Sequence, residues 1–141
     1  LRRQRQMCIR DRHIAGFCIL NDLSARELQI EEMKLNLGPA KGKDFANILG
    51  PYLVTPDELE DKSIDTPFGK KYDLQMKCFV NGELHSEGNS KDMNWTFAEI
   101  IERASYGVEL FAGDVIGSGT YQNLYVEWLQ KIYLEPELAI Q

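Results

Sequence analysis

Three polar residues in the first part of the chain have types and spacing suited to binding a small organic acid. Asp22 follows the apolar run 16–20, and Arg26 and Gln29 come four and seven residues after it. Residues three or four apart share one face of a helix, so a helix here would present the guanidinium and the amide together near the carboxylate. Hard divalent cations bind carboxylate oxygens, and Arg recognises planar carboxylates. The alternative is that Asp22 only caps a helix.

Two later segments carry further polar groups in glycine-rich surroundings. Residues 37–45 have the sequence LGPAKGKDF, which predicts a loop that carries Lys43. Residues 113–120 have the sequence GDVIGSGT, in which the glycines let the backbone approach a ligand closely, and the segment ends on Thr120. Each segment also has a simpler interpretation: Lys43 could be an ordinary exposed lysine, and 113–120 a tight exit from a strand.

Taken in order, these three segments resemble the fumarylacetoacetate hydrolase family. The segments 49–59, 80–83 and 89–93 fit the same pattern, so the resemblance covers roughly residues 13–127. Short strands, two helices and glycine turns predict an α+β, mostly β fold. The resemblance implies the mixed β-roll of the C-terminal domain of that family, truncated at its N-terminal side.

The resemblance implies roles for four residues in the first third of the chain. Asp22 corresponds to a metal-ligand aspartate at the end of a strand. Arg26 and Gln29 correspond to catalytic and substrate-binding residues that contact the carboxylate and oxo groups of the substrate. Lys43 corresponds to an active-site lysine near the metal and the substrate.

Two further matches lie near the C-terminal end. Thr120 corresponds to a threonine that binds the substrate carboxylate. Glu127 corresponds to a glutamate that helps to orient a catalytic water, although the segment 121–126 lacks the glycines usual there. These two residues complete the expected catalytic set.

The reaction that the resemblance implies is metal-dependent hydrolysis of a carbon–carbon bond in a 2-oxo or 1,3-dicarbonyl acid, of the fumarylacetoacetate or acylpyruvate type. The expected cofactor is Mg²⁺, or Mn²⁺ or Ca²⁺ in its place, which acts as a Lewis acid and stabilises an enolate. Family members also decarboxylate, isomerise, hydrate or cleave oxo acids through the same enolate chemistry, so these reactions stay open. The longer protein is expected to be a cytoplasmic homodimer whose partner is the small oxo-acid substrate.

The sequence also departs from the family pattern. The resemblance implies that the metal is held mainly by an upstream Glu-x-Glu pair together with the aspartate, and no such pair precedes Asp22. A lid histidine has no match either, because His13 stands at the head of a predicted strand. We therefore expect the chain to be an inactive C-terminal fragment of a longer enzyme. The alternative is a non-catalytic portion that at most binds a partner chain.

Composition limits the class of protein. With 43% hydrophobic and 27% charged residues, the 141-residue chain is typical of one globular domain. No apolar run approaches the roughly 20 residues of a transmembrane helix, and the formal net charge of −6 argues against nucleic acid as the main partner. Three cysteines without CxxC spacing predict a reduced, cytoplasmic protein, with Cys18 and Cys78 as core residues.

The first twelve residues differ from the rest, because five of them are arginine and they show no periodicity. The segment 6–12 resembles translated sequencing-adapter sequence. We expect residues 1–12 to be a non-native leader and residues 13–141 to form a partial catalytic domain.

The remaining patterns predict the elements that position these residues. An apolar run predicts a buried strand over 16–20, followed by a helix over 24–33 with Leu28 facing inward. Residues 74–80 alternate as a half-buried strand that turns at Asn81-Gly82 into a hairpin.

Four further elements complete the prediction, and one stretch is ambiguous. An apolar stripe that starts at Trp95 predicts a helix to Ser105. Short strands are predicted over 52–54, 83–86 and 115–116, and the stretch 128–134 could be helix or strand.

Overall fold

Strands predominate in the described part of the computed structural model, which comprises residues 11–36, 38–119 and the backbone of 128–134. The strands are β1 (Ile14–Asp22), β2 (Asn47–Leu49), β3 (Ser63–Thr66), β4 (Gly69–Tyr72), β5 (Gln75–Val80), β6 (Glu83–Asn89), β7 (Val115–Gly117) and β8 (Trp128–Leu134). The helices are α1 (Arg26–Met33), α2 (Phe97–Ala104) and the 3-10 helices Pro56–Lys62 and Ser90–Asp92. The predicted α+β, mostly β class is confirmed, and the β-roll stays a prediction.

Asp22 is the last residue of β1, which belongs to a four-stranded sheet in the order β2-β1-β8-β7. Strand β1 pairs antiparallel with both β2 and β8, so it is an interior strand with hydrogen bonds on both sides. The predicted strand over 16–20 lies within β1. It is not buried throughout, because Ile19 is 54% exposed while Phe17 and Leu20 are buried. The ambiguous stretch 128–134 is strand β8, next to β1.

The segment 52–54 lies beside β1 and forms one isolated antiparallel bridge with it, between Val54 and Phe17. The backbone N–H of Phe17 donates to the Val54 oxygen at 2.8 Å, and the Val54 N–H donates back at 2.9 Å. A Cβ placed on Gly16 would lie 2.9 Å from the same Val54 oxygen, so only glycine lets the two backbones come so close. The predicted strand over 52–54 is wrong, because the segment forms an isolated bridge at Val54 and no strand.

The core joins this sheet to α2 and β4. Phe17 lies with its ring centroid 5.0 Å from Tyr72 and 4.8 Å from Phe97, and Ile14, Ile101 and Leu110 are buried in the same cluster. Each large apolar side chain that is fully buried contributes about 1.5–3 kcal/mol. Anchoring of β1 by Phe17 fixes the direction in which the strand emerges at Asp22.

Helix α2 begins with a capping box. The Thr96 side chain accepts a hydrogen bond from the Glu99 N–H, and the Glu99 carboxylate accepts one from the Thr96 N–H at 2.8 Å. The predicted apolar stripe is correct for Ala98 and Ile101, which are buried, but wrong for Trp95, which precedes the cap and is 65% exposed.

The predicted hairpin at Asn81-Gly82 is confirmed. Both residues have positive φ angles, 52° and 86°, as a type I′ turn requires, and they join β5 to β6. The predicted core cysteines Cys18 and Cys78 are buried and free. Neither α1 nor α2, the α-helices of the described part, has the length and apolar character needed to span a bilayer.

Candidate active site

An ion pair joins the end of β1 to the loop that follows α1. Lys43 Nζ donates to Asp22 Oδ2 at 3.1 Å, although the two residues are 21 positions apart in the sequence. Their side chains are only 18% and 21% exposed, so water and salt screen the pair less than an exposed one. The structure thus brings together two of the residues that were assigned to one site, and Lys43 is not an ordinary solvated lysine.

The alternative that Asp22 caps α1 is wrong. The helix begins at Arg26, its N-cap residue is Ala25, and within the described residues no side chain makes a capping hydrogen bond there. Ser24 Oγ instead donates to the backbone oxygen of Asp22 at 3.1 Å. The carboxylate of Asp22 is therefore directed to Lys43 and not to the helix.

Arg26 and Gln29 meet on the first turn of α1. Arg26 Nη1 donates to Gln29 Oε1 at 2.7 Å, as the spacing of three residues predicts. Arg26 is exposed and Gln29 is half-buried. The expected inward packing of Leu28 is wrong, because Leu28 is 40% exposed and α1 has no buried residue.

Gly42 links the Arg26–Gln29 pair to the Asp22–Lys43 pair. Its backbone oxygen accepts a hydrogen bond from the Ala25 N–H at 2.9 Å. A Cβ on Gly42 would lie 2.9 Å from the backbone nitrogen of Gln29, so the loop is in direct contact with the first turn of α1. Because Lys43 follows Gly42 in the chain, both pairs belong to one unit formed by the end of β1, α1 and the loop.

Sequence reasoning missed Glu32, which closes this unit from the other end of α1. Its carboxylate accepts hydrogen bonds from the N–H groups of Ala40, Lys41 and Gly42 at 2.8, 2.7 and 3.0 Å. The N–H groups of Gly42 and Ala40, and then that of Lys41, hold the pKa of the Glu32 carboxyl below its usual value. No local motif signals this contact, because its partners are backbone groups eight to ten residues away.

The residues expected from the C-terminal half, Thr120 and Glu127, lie outside the described part of the chain. The strand before Thr120 is described, however. Strand β7 is antiparallel to β8, and β8 is antiparallel to β1, so β7 and β1 run in the same direction. Lys131 of β8 is the register partner of both Cys18 and Gly117. Both strands thus point toward the same end of the sheet, the end at which Asp22 lies.

A metal ion at Asp22 would need ligands besides the side chains of the described residues. Asp22 offers one carboxylate, and one of its oxygens already accepts from Lys43. Within residues 11–36 and 38–119, no three His, Cys, Asp or Glu side chains come together as a metal-binding group. Mg²⁺ commonly takes one or two carboxylates with substrate oxygens and water. Asp22 therefore fits one position of such a site and does not complete it.

The match to a protein-family model defines the class. Residues 9–138 match the C-terminal domain described as Fumarylacetoacetate (FAA) hydrolase, which is nearly the whole chain. The chain belongs to the fumarylacetoacetate hydrolase family. The division into a leader over 1–12 and a domain over 13–141 stays a prediction.

Curated relatives of the chain carry two kinds of name. YisK of Bacillus subtilis, an oxaloacetate tautomerase, is 34% identical over 108 residues, which are 77% of this chain and 32% of the relative. A Burkholderia cenocepacia protein named "Putative hydrolase" is 36% identical over 108 residues, which are 77% of this chain and 35% of that protein. The matched region thus spans about a third of the length of these relatives. No solved structure is significantly similar to the chain.

Proposed function

We propose that this chain is part of an enzyme that hydrolyses a carbon–carbon bond in a small 2-oxo or 1,3-dicarbonyl acid. Family membership supports the enzyme class. The observation that carries the proposal is the 3.1 Å contact of Lys43 Nζ with Asp22 Oδ2. It joins a cation and a carboxylate from separate segments in a largely buried position, in the same unit as the Arg26–Gln29 pair.

Each side chain has a role that follows from its chemistry. The guanidinium of Arg26 binds the planar carboxylate of the substrate, and the hydrogen bond to Gln29 Oε1 orients it. The Gln29 amide nitrogen supplies a donor for an oxo group. The ammonium of Lys43 stabilises the negative charge that develops on the substrate oxygen as the bond breaks.

The remaining parts of the proposal concern groups outside the described residues. Thr120 binds the substrate carboxylate, and Glu127 orients the attacking water.

For the cofactor we propose Mg²⁺, with Mn²⁺ or Ca²⁺ as alternatives. Asp22 would be one ligand, and the others would come from beyond the described part. When bound, the ion supplies Lewis acidity at the substrate oxygens. A cytoplasmic homodimer completes the proposal, and the buried free thiols of Cys18 and Cys78 fit a reducing compartment.

A second candidate function is tautomerisation or another isomerisation of an oxo acid. The observation that favours it is the name of the Bacillus subtilis relative, an oxaloacetate tautomerase at 34% identity. Moving a proton between carbon and oxygen needs the same recognition of carboxylate and oxo groups, but no attack by water. The two functions therefore differ in whether Glu127 is required.

One set of assays separates these functions. The protein that contains this sequence, extended to the length of its relatives, is incubated with an acylpyruvate or with oxaloacetate, in the presence of Mg²⁺ or Mn²⁺. Release of pyruvate and a carboxylic acid from the acylpyruvate supports hydrolysis. Accelerated enol–keto exchange of oxaloacetate without pyruvate release supports the second function. If neither substrate changes, both proposals are wrong.

A matched pair of variants tests the residue that carries the proposal. Lys43→Met should lower kcat/KM by about 10²–10³, as loss of one charge-stabilising donor does. Lys41→Met is the control, because Lys41 Nζ pairs with Asp44 on an exposed surface only two residues away. Equal activity of the two variants would contradict the role of Lys43.

A further inference from the structure

We infer that Glu32 is a positioning residue of the proposed active site, which holds the Lys43 loop against α1 so that Lys43 reaches Asp22. The expected effect of Glu32 on catalysis rests on the proposed function, in which Lys43 acts on the substrate. The structural part stands on the three hydrogen bonds that Glu32 accepts from Ala40, Lys41 and Gly42.

The first step is the geometry of the loop backbone. Three consecutive N–H groups point at one carboxylate: those of Ala40 and Gly42 at Oε2, and that of Lys41 at Oε1. Successive N–H groups arranged in this way form a concave anion-binding nest. Here the anion is a side chain of the same protein, and hydrogen bonds to an ionised acceptor are stronger than those to a neutral one. The nest is therefore filled by Glu32 itself.

The second step is the short path from the nest to the ion pair. Lys43 directly follows Gly42, and its own N–H donates to the Ala40 oxygen at 3.1 Å, so its backbone continues the turn that Glu32 holds. At the start of α1 the Gly42 oxygen accepts from Ala25. The loop is thus clamped to both ends of the helix, immediately before the residue that contacts Asp22.

The third step is that apolar packing contributes little to the contact between the loop and α1. Helix α1 has no buried residue, and of the loop residues 40–44 only Gly42 is buried. With little apolar area to fix the register of the loop on the helix, the hydrogen bonds of Glu32 are a main contribution to it, beside the Gly42–Ala25 hydrogen bond. A misplacement of about 1 Å in a catalytic group can cost about 100-fold in rate.

The test compares Glu32→Gln with Glu31→Gln. Glu31 is the adjacent exposed residue on α1, so the control removes the same charge one position away. A glutamine has one carbonyl oxygen and an NH₂ group that faces the loop N–H groups, so it cannot accept all three hydrogen bonds. Glu32→Asp is the second variant, because it keeps the charge but is one methylene too short to reach the nest.

Two readouts on the 141-residue chain need no substrate. One is hydrogen exchange at the amides of Ala40, Lys41 and Gly42. The other is the rate of Lys43 acylation by an amine-reactive ester, measured by mass spectrometry relative to Lys41, whose side chain is 76% exposed. We expect faster exchange and a severalfold higher Lys43-to-Lys41 ratio in both Glu32 variants, and no change in Glu31→Gln. The urea midpoint should stay close to that of the unmodified chain, which excludes global unfolding as the cause.

A third readout is kinetic and uses the extended protein. Glu32→Gln should lower kcat/KM by about 10- to 100-fold, with Glu31→Gln unchanged. An unchanged Lys43-to-Lys41 acylation ratio in Glu32→Gln and Glu32→Asp overturns the inference. If the ratio rises but kcat/KM does not fall, the positioning by Glu32 is supported and the proposed role of Lys43 is wrong, so the two failures are distinguishable.

Discussion

Gly42 packs on Gln29 so closely that no side chain fits between them. A Cβ on Gly42 would lie 2.9 Å from the Gln29 nitrogen and 3.0 Å from its Cα, which are backbone atoms that cannot move aside alone. The glycine is therefore required by contact with α1, and its replacement should separate the loop from the helix.

The first prediction concerns Gly42→Ala. Overpacking against a backbone commonly costs about 1–3 kcal/mol, and we expect a loss of unfolding free energy in that range. Urea unfolding measures it. Gly50→Ala is the control, because a Cβ there would meet Ile19 at 3.3 Å or more and should be tolerated with a smaller loss. Equal stability of Gly42→Ala and the unmodified chain would show that the contact is looser than described.

The second prediction compares two lysine–aspartate pairs. The Lys43–Asp22 pair is largely buried, whereas Lys41–Asp44 is 76% and 49% exposed. Exposed pairs contribute about 0–1 kcal/mol, and hydrogen bonds to charged groups in less exposed positions about 1.5–3 kcal/mol. Lys43→Met should therefore destabilise the chain more than Lys41→Met. A double-mutant cycle with Asp22→Asn isolates the pairwise energy, and a coupling near zero would contradict the prediction.

The third prediction concerns alkaline pH. Burial, and to a lesser extent the charges of Asp11 and Glu60, raise the pKa of Tyr72 to about 12, against about 10 in the unfolded chain. A raised pKa means that the unfolded state loses its proton first. The contribution of Tyr72 is complete below pH ~10 and is lost as pH rises toward ~12.

Phenylalanine at position 72 keeps the ring that contacts Phe17 but has no proton to lose. Tyr72→Phe should therefore flatten the fall in stability between pH ~10 and ~12, measured as the urea midpoint at each pH. Tyr106→Phe is the control, because Tyr106 is 81% exposed and its removal should leave the profile unchanged. Identical profiles for the two variants would contradict the assignment.

The fourth prediction is that the 141-residue chain alone binds divalent metal weakly. Asp22 is the one carboxylate matched to a metal position, and a single carboxylate does little to displace the hydration of Mg²⁺. Calorimetric titration with Mg²⁺ and Mn²⁺ should give no micromolar binding. Micromolar binding by the 141-residue chain would mean that the ligands lie elsewhere in this sequence.

In the extended protein, Asp22→Ala should abolish activity and weaken metal binding while leaving the fold intact.

The local patterns predicted those parts of the fold that local forces determine. The alternation over 74–80 and the Asn81-Gly82 turn correctly gave the β5–β6 hairpin. The helix over 95–105 was placed almost correctly, but the capping box at Thr96 excludes Trp95 from it. The apolar character of Leu28 predicts an inward position, yet its side chain is 40% exposed and α1 has no buried residue.

The side-chain contacts around Asp22 and Arg26 can be predicted from the sequence where they depend on short spacing, and cannot where they depend on the loop. A helix spacing of three gave the Arg26–Gln29 contact. Lys43 was placed near Asp22 only by family resemblance, because their contact spans 21 residues and no periodicity connects a loop to a strand end. Glu32 could not be identified, because its partners are backbone N–H groups, which every residue except proline carries.

Because α1 has no buried residue, opening of α1 and the loop 40–44 should expose little apolar surface. Local unfolding costs less free energy where few apolar contacts are lost, so this helix and loop should open more readily than the Phe17–Tyr72–Phe97 cluster. A substrate that binds Arg26 and Lys43 together would favour the closed arrangement of the helix and loop that carry them. Substrate affinity should therefore be linked to the local stability of α1 and the loop, next to the end of β1.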